Sequence, residues 1–257
     1  MKETILAIDV GNTSIHWAYM KDGDLIGSYN RNKHTELSLL PWEEVKQKDC
    51  PVVIAGALLH INEEIERITK EHNIKFIQLD TTKQRIIKNV YQSLGIDRVC
   101  NLVGAINSIK ILNSPIIVFD FGTASTITAC DKDHNFLGGV IHTGCEIELQ
   151  ALASKTLSLP HVQLAKEQKI TKLDPLSKDT ENAILHGVIV GQVALVESYL
   201  KLFKEMTKSE PKTVFTGGNA SIVSRFYKTP DLYDPHLTIK GIYYCYKADY
   251  LARCILK

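Results

Sequence analysis

The chain is predicted to be an α/β protein built from two copies of one plan, and two observations carry that reading. The first is a repeat. Near the start the sequence reads Leu6-Ala7-Ile8-Asp9-Val10-Gly11-Asn12-Thr13-Ser14-Ile15, and later Ile117-Val118-Phe119-Asp120-Phe121-Gly122-Thr123-Ala124-Ser125-Thr126. Each copy is an apolar run ending in Asp-x-Gly, then small hydroxyl or amide residues, then a second β-prone run. The aspartates lie 111 positions apart in a chain of 257 residues, close to half its length. The second observation is order: three strand signals followed by alternating helix and strand signals, occurring twice. Together they predict two similar domains, 1–113 and 114–257, each offering one acidic turn to a shared cleft.

The elements of the first half follow from local pattern. Strands are expected over 4–9, 14–20 and 24–29 as a meander, with Asp22-Gly23 marking the second turn. A helix is expected near 36–47 and a short buried strand over 51–55. Residues 61–72 carry Ile61, Ile65 and Ile68 at helical spacing. Another strand fits 75–79, and a helix over 101–112 closes the half. Asn113-Ser114-Pro115 breaks it, because proline disfavours helix in the residue before it.

The second half repeats the plan. Strands over 116–120 and 126–131 pair, and Asp133-His134-Asn135 turns into a strand over 136–141. A helix is expected over 145–157, a polar loop over 166–178, and a long helix over 180–206. Gly187 and Gly191 lie four apart on that helix and share a face open to close packing. Residues 213–218 read as a strand entering a Gly-rich turn, and segments 237–242 and 248–256 end the chain.

Composition narrows the function class. A net charge of +1 without a basic run gives nucleic acid no electrostatic footprint. No stretch approaches 18 apolar residues, and Met1-Lys2-Glu3-Thr4 leads directly into a strand, so neither a signal peptide nor a membrane anchor is expected. Six cysteines, none in a C-x-x-C pair, fit buried reduced thiols of a cytoplasmic protein. Nine histidines form no H-E-x-x-H spacing, and neither a P-loop nor a G-x-S-x-G elbow is present. The Asp120-Phe121-Gly122 triplet lacks the rest of the protein-kinase motif set.

Each acidic turn has a physical use. Aspartate at the end of a buried strand lets its carboxylate leave the core, and glycine lets a backbone approach a ligand closely. Hydroxyls and turn N–H groups can cradle phosphate oxygens. Carboxylates repel phosphate, so their role is to hold a cation, often with its water shell. A single such turn would be read as an ordinary hairpin; two on matching strands favour the ligand reading.

Between the hairpins lies Gly95-Ile96-Asp97-Arg98. Taken with Asp120-Phe121-Gly122-Thr123-Ala124, Leu137-Gly138-Gly139, Asp179-Thr180 and Thr216-Gly217-Gly218, the order resembles type III pantothenate kinases of the actin, heat-shock-protein and sugar-kinase (ASKHA) superfamily. The resemblance runs from Ile5 to about Gly241. It implies two RNase H-like domains with an interdomain nucleotide cleft, and ATP-dependent phosphorylation of the pantothenate 4′-hydroxyl, the first step toward coenzyme A. It also implies that Asp9, Val10, Gly11, Asn12, Thr13, Ser14, Ile15 and His16 form an ATP segment, with Thr123 a second ATP contact. By the same resemblance Asp120 holds a monovalent cation, potassium or ammonium, and ATP arrives with Mg²⁺. Asp97 is the catalytic base; Tyr91, Gly95, Ile96, Asp97, Arg98 and Thr180 bind pantothenate, and the pocket is completed in a homodimer.

The sequence departs from the family pattern in three places. Tyr91 stands only six positions before Asp97, so the preceding loop is shortened. Thr143-Gly144 replaces Pro-Gly, and Gly56-Ala57 replaces Ser-Val. Alternatives stay open for single residues. Asp97 and Arg98 would otherwise be a surface ion pair, Thr180 is equally suited to cap the long helix, and Gly217-Gly218 to be a plain helix-entry turn. For the whole chain the alternatives are another small-molecule kinase or phosphatase of the superfamily, or a non-catalytic nucleotide-binding assembly or regulatory protein.

Overall fold

The computed structural model describes residues 4–109, 113–164, 170 and 172–255. The end of the helix expected to reach 112, residues 166–169 and 171 of the loop expected over 166–178, the last residue of the segment expected over 248–256, and the first three residues lie outside them. The chain divides into two compact units.

The first unit contains Met1–Leu112, Cys130–Phe136 and His236–Lys257. Its strands are β1 (Ile5–Val10), β2 (Ile15–Lys21), β3 (Asp24–Asn32), β4 (Val52–Gly56) and β5 (Phe76–Gln78), in the spatial order β3-β2-β1-β4-β5. β1 pairs antiparallel with β2 and parallel with β4. Alternate residues Leu6, Ile8 and Val10 face a core closed by Trp42 and Val45 of α1 (Trp42–Gln47) and Ile61 and Ile65 of α2 (Leu59–Glu71). The other side is covered by α3 (Ile96–Ser108) and α7 (Leu237–Ile255). These two helices cross closely: a Cβ on Gly104 would collide with the Leu237 carbonyl, and one on Gly241 with the Cys100 backbone.

The second unit contains Asn113–Ala129 and Leu137–Pro235. Its sheet follows the same plan, with β6 (Ile116–Phe121), β7 (Ala124–Cys130), β8 (Phe136–Thr143), β9 (Lys212–Thr216) and β10 (Leu232–Tyr233) in the order β10-β9-β6-β7-β8. Read from the other edge this is the order of the first sheet. Phe119, Phe121 and Phe215 pack against Val196 and Phe203 of α5 (Thr180–Thr207) and Ala220 and Val223 of α6 (Ala220–Phe226). Ile184, Leu185 and Ile189 of α5 form a second core with Leu149 of α4 (Cys145–Lys155). By length and composition α5 is apolar enough to cross a membrane, which the sequence reading had not expected; its apolar residues supply two separate protein cores.

Several expected elements differ. The helix expected over 36–47 is a 3₁₀ helix, His34–Leu39, and then α1, separated by an extended Leu40 ahead of Pro41. The helix expected over 101–112 starts earlier, at Ile96. The last two segments form one helix, α7. Because α7 packs on α3 and β1, the end of the chain joins the first unit, whereas a division at 113 would assign it to the second.

Candidate active site

In the first unit Asp9 occupies the fifth of six positions in β1 and is paired with His16 across the sheet. His16 Nδ1 lies 3.8 Å from Asp9 Oδ2. The next residue in that cross-strand row is Arg31 of β3. A register shift between Trp17 and Tyr19, opposite Gly27 with φ 76°, bulges β3 and places the Tyr29 ring 5.5 Å from His16, nearly parallel to it.

The four-residue turn between β1 and β2 is closed by Gly11 N–H donating to the Ser14 carbonyl at 3.1 Å. Ser14 is buried, and its Oγ accepts a 3.0 Å bond from Arg31 Nε. His34 Nε2 donates to the Gly11 carbonyl at 2.9 Å. Asn12 and Thr13 form the exposed tip, with Val10 and Ile15 buried beneath it. Neither Arg31 nor His34 stands out in the sequence; their link to the turn depends on the register of β2 and β3.

Asp97 lies in the first turn of α3, ahead of the helix start expected at 101. Gly95 is the N-cap, and a Cβ there would collide with Asp97 Oδ1, so absence of a side chain lets the carboxylate fold over position 95. Burial raises the Asp97 carboxyl above its ordinary value, and the negative charge of Asp9 raises it further; backbone N–H bonds and the Arg98 guanidinium act in the opposite direction. Arg98 is itself buried, and Ile96 packs in the core. Tyr91 is half-exposed, edge-on to Phe136 with ring centroids 5.7 Å apart, on a segment tied to the β7–β8 turn by Lys88 N–H to the His134 carbonyl. The first unit therefore brings together the 9–16 turn, Asp97 and Arg98.

In the second unit Asp120 occupies the fifth of six positions in β6, with Thr216 of β9 as its neighbour. A two-residue turn, Gly122-Thr123, follows. Gly217 has φ 93°, and a Cβ there would strike Asp120 Oδ1. Gly144 N–H donates to the Thr123 carbonyl at 3.2 Å, and a Cβ on Gly144 would strike the carbonyls of Gly122 and Thr123. The Asp120 carboxylate is thus seated against Gly217, and the carbonyls of Gly122 and Thr123 against Gly144.

Below the turn, Ser125 Oγ donates to Gln192 Oε1 at 2.7 Å, and Gln192 Nε2 donates to the Thr143 carbonyl and to Glu148 Oε1. Asp179, not Thr180, caps α5, accepting from Asn182 N–H at 3.0 Å. Thr180 is left to line an open groove of about 650 Å³ with Glu148, Leu152, Leu159 and Gly187. A larger groove in the first unit, about 790 Å³, lies beside α1 and α2, lined by His34, Trp42, His60, Arg67 and His72 and not by Asp9 or Asp97. The five cysteines with described side chains are buried thiols and form no disulfide with one another.

A sheet of order 3-2-1-4-5 occurring twice, with an aspartate at the same position of the first strand in each copy, defines the actin-like and sugar-kinase class of two-domain proteins. Solved structures agree at the level of fold. A candidate Baf family transcriptional activator from Campylobacter jejuni matches with 20% identity and a TM-score of 0.61, over 96% of this chain and all of that one. The activator of 2-hydroxyisocaproyl-CoA dehydratase from Clostridium difficile, solved with bound ADPNP, matches at 13% identity and TM-score 0.51 over 98% and 97%. A candidate N-acetylmannosamine kinase from Listeria monocytogenes matches at 10% and 0.53 over 96% and 99%. The model of one sequence family, type III pantothenate kinase, matches residues 5–202. The chain belongs to the type III pantothenate kinase family and is, by that membership, a kinase-type phosphotransferase.

Proposed function

We propose that this protein transfers the γ-phosphoryl group of ATP to the 4′-hydroxyl of pantothenate, as a cytoplasmic homodimer. The observation that carries the reading is Asp97: a partly buried carboxylate in the family's Gly95–Arg98 motif, whose pKa is raised by burial and by the charge of Asp9. A base works best when its pKa approaches the working pH, because it is then ionised yet still willing to take a proton.

Asp97 accepts the hydroxyl proton as the oxygen attacks phosphorus and the bond to the ADP oxygen breaks. The 9–16 turn holds ATP through its backbone N–H groups and the hydroxyls of Thr13 and Ser14, and Thr123 adds a contact. Mg²⁺ on the nucleotide and a potassium or ammonium ion at Asp120 would neutralise phosphate charge; Asp9, and Asp120 with the carbonyls of Gly122 and Thr123, are the residues suited to hold them. Tyr91, Gly95, Ile96 and Thr180 bound the pantothenate. Arg98 is buried and its guanidinium acts on Asp97, and a grip on the substrate carboxylate requires that it be reached there.

The test is a coupled assay of ADP release by the full chain, with and without pantothenate and with potassium exchanged for sodium. Pantothenate-dependent release that falls in sodium is expected. Release indifferent to pantothenate, or accelerated only by another alcohol, would assign the protein to a different kinase or ATPase activity. Nucleotide binding with no turnover would support a non-catalytic module.

A further inference from the structure

Arg31 is a cation that no motif assigns and that is bonded to the first acidic turn. Its Nε donates to Ser14 Oγ, which fixes the plane of the guanidinium against the turn. Its two terminal amino groups make no hydrogen bond to another described residue, and the residue is exposed. A guanidinium anchored through one nitrogen, with a two-nitrogen fork free, is arranged to take an oxyanion in bidentate fashion.

The cross-strand row supplies the direction. Asp9, His16 and Arg31 are successive partners on β1, β2 and β3. Adjacent strands lie about 4.8 Å apart, so the backbones of Asp9 and Arg31 are separated by roughly 10 Å. The row is therefore negative at one end and positive at the other, with the 11–14 turn beside it. Asp97 belongs to the negative end, since the Asp9 charge acts on it directly. The phosphoryl group that meets the base must be at that end, while Arg31 faces phosphates farther along the chain.

We propose that Arg31 is a nucleotide-contact residue that binds the phosphates remaining on ADP, and not the transferred group. This inference rests on the nucleotide reading of the 9–16 turn, though not on the identity of the acceptor alcohol. His34, bonded to the Gly11 carbonyl, keeps the turn in place from its other side, so loss of Arg31 removes a charge without releasing the loop.

The experiment compares Arg31→Gln and Arg31→Lys with the unaltered full chain, measuring affinities for ATP, ADP and adenosine by ligand-observed NMR, together with melting temperature and, where turnover is present, KM for ATP and kcat. For Arg31→Gln the expected result is a loss of about tenfold or more in affinity for both ATP and ADP, with adenosine affinity and melting temperature unchanged and KM moving more than kcat. Arg31→Lys should fall between, because lysine keeps the charge but not the fork.

Unchanged ADP affinity with a fall in kcat would place Arg31 on the transferred phosphate and overturn the proposal. Equal loss for adenosine and ADP would make the residue structural, with the same consequence. Should Arg31→Gln fail to fold, the Arg31→Lys affinities decide by the same criteria. The two readings separate cleanly, because a selective loss of ADP binding in a protein that never phosphorylates pantothenate supports this inference and removes the proposed function.

Discussion

Asp9 and Asp120 hold the same place in two strands with the same burial sequence along them, yet their surroundings have diverged. The first turn has four residues and is braced by side chains: Arg31 on Ser14, His34 on Gly11, and His16 beside the carboxylate. The second has two residues and is braced by backbone, with Gly217 against Asp120 and Gly144 against the carbonyls of Gly122 and Thr123. Side chains bring charge of both signs and groups that can move protons. Backbone brings fixed oxygen acceptors. The duplicated plan has thus given one turn braced by charged and polar side chains and another held by close backbone contacts.

The largest expected effect breaks the first of these roles. Asp97→Asn should lower kcat by about 10²–10⁴-fold in the pantothenate assay, the usual contribution of a positioned base. Its stability should not fall. A carboxyl whose folded pKa is raised stabilises the fold below its unfolded pKa, and that contribution is lost as pH rises through the folded value. At neutral pH the amide therefore melts at or above the temperature of the native side chain, as calorimetry would show.

The second turn is better broken through its glycines. Gly217→Ala introduces a Cβ at positive φ and against Asp120, and should cost about 1–3 kcal/mol in denaturant unfolding. Gly11→Ala is the matching change in the first unit. Its Cβ would sit 3.2 Å from the Ser14 carbonyl, without positive φ, so a smaller loss is expected. Equal losses would mean that the two turns are braced alike after all.

A finer contrast separates neighbours on α5. Asp179→Ala should remove about 0.5–2 kcal/mol by loss of the cap. Thr180→Ala should leave unfolding unchanged while raising the KM for pantothenate. A stability loss at Thr180 equal to that at Asp179 would return it to a capping role.

Much of this was legible in the sequence, and the exceptions share a cause. The paired hairpins are written in local alternation and in Asp-x-Gly, so their strands fall within a few residues of expectation. The helix was expected to start at 101, but glycine at 95 makes room for the Asp97 carboxylate and α3 starts at Ile96. Asp179 and Thr180 are both competent caps, and only geometry distinguishes them. The docking of α7 on α3, where Thr238 Oγ1 donates to Asn101 Oδ1 across 137 positions, has no local signal. Arg31 meets Ser14 from 17 positions away, through a register set by the bulge at Gly27.

The most direct test of the central claim, that the first acidic turn and not the second sets the charge state of the base, is the pH dependence of kcat/KM for pantothenate. That profile reports groups of the free enzyme, and its acidic limb should lie above the ordinary value of an aspartate. Removing the Asp9 charge favours the ionised form of Asp97, so Asp9→Asn should shift the limb to lower pH whatever its effect on rate. Asp120→Asn should reduce the rate and its response to potassium while leaving the limb in place. A limb that stays fixed in Asp9→Asn, or moves only in Asp120→Asn, would contradict the account.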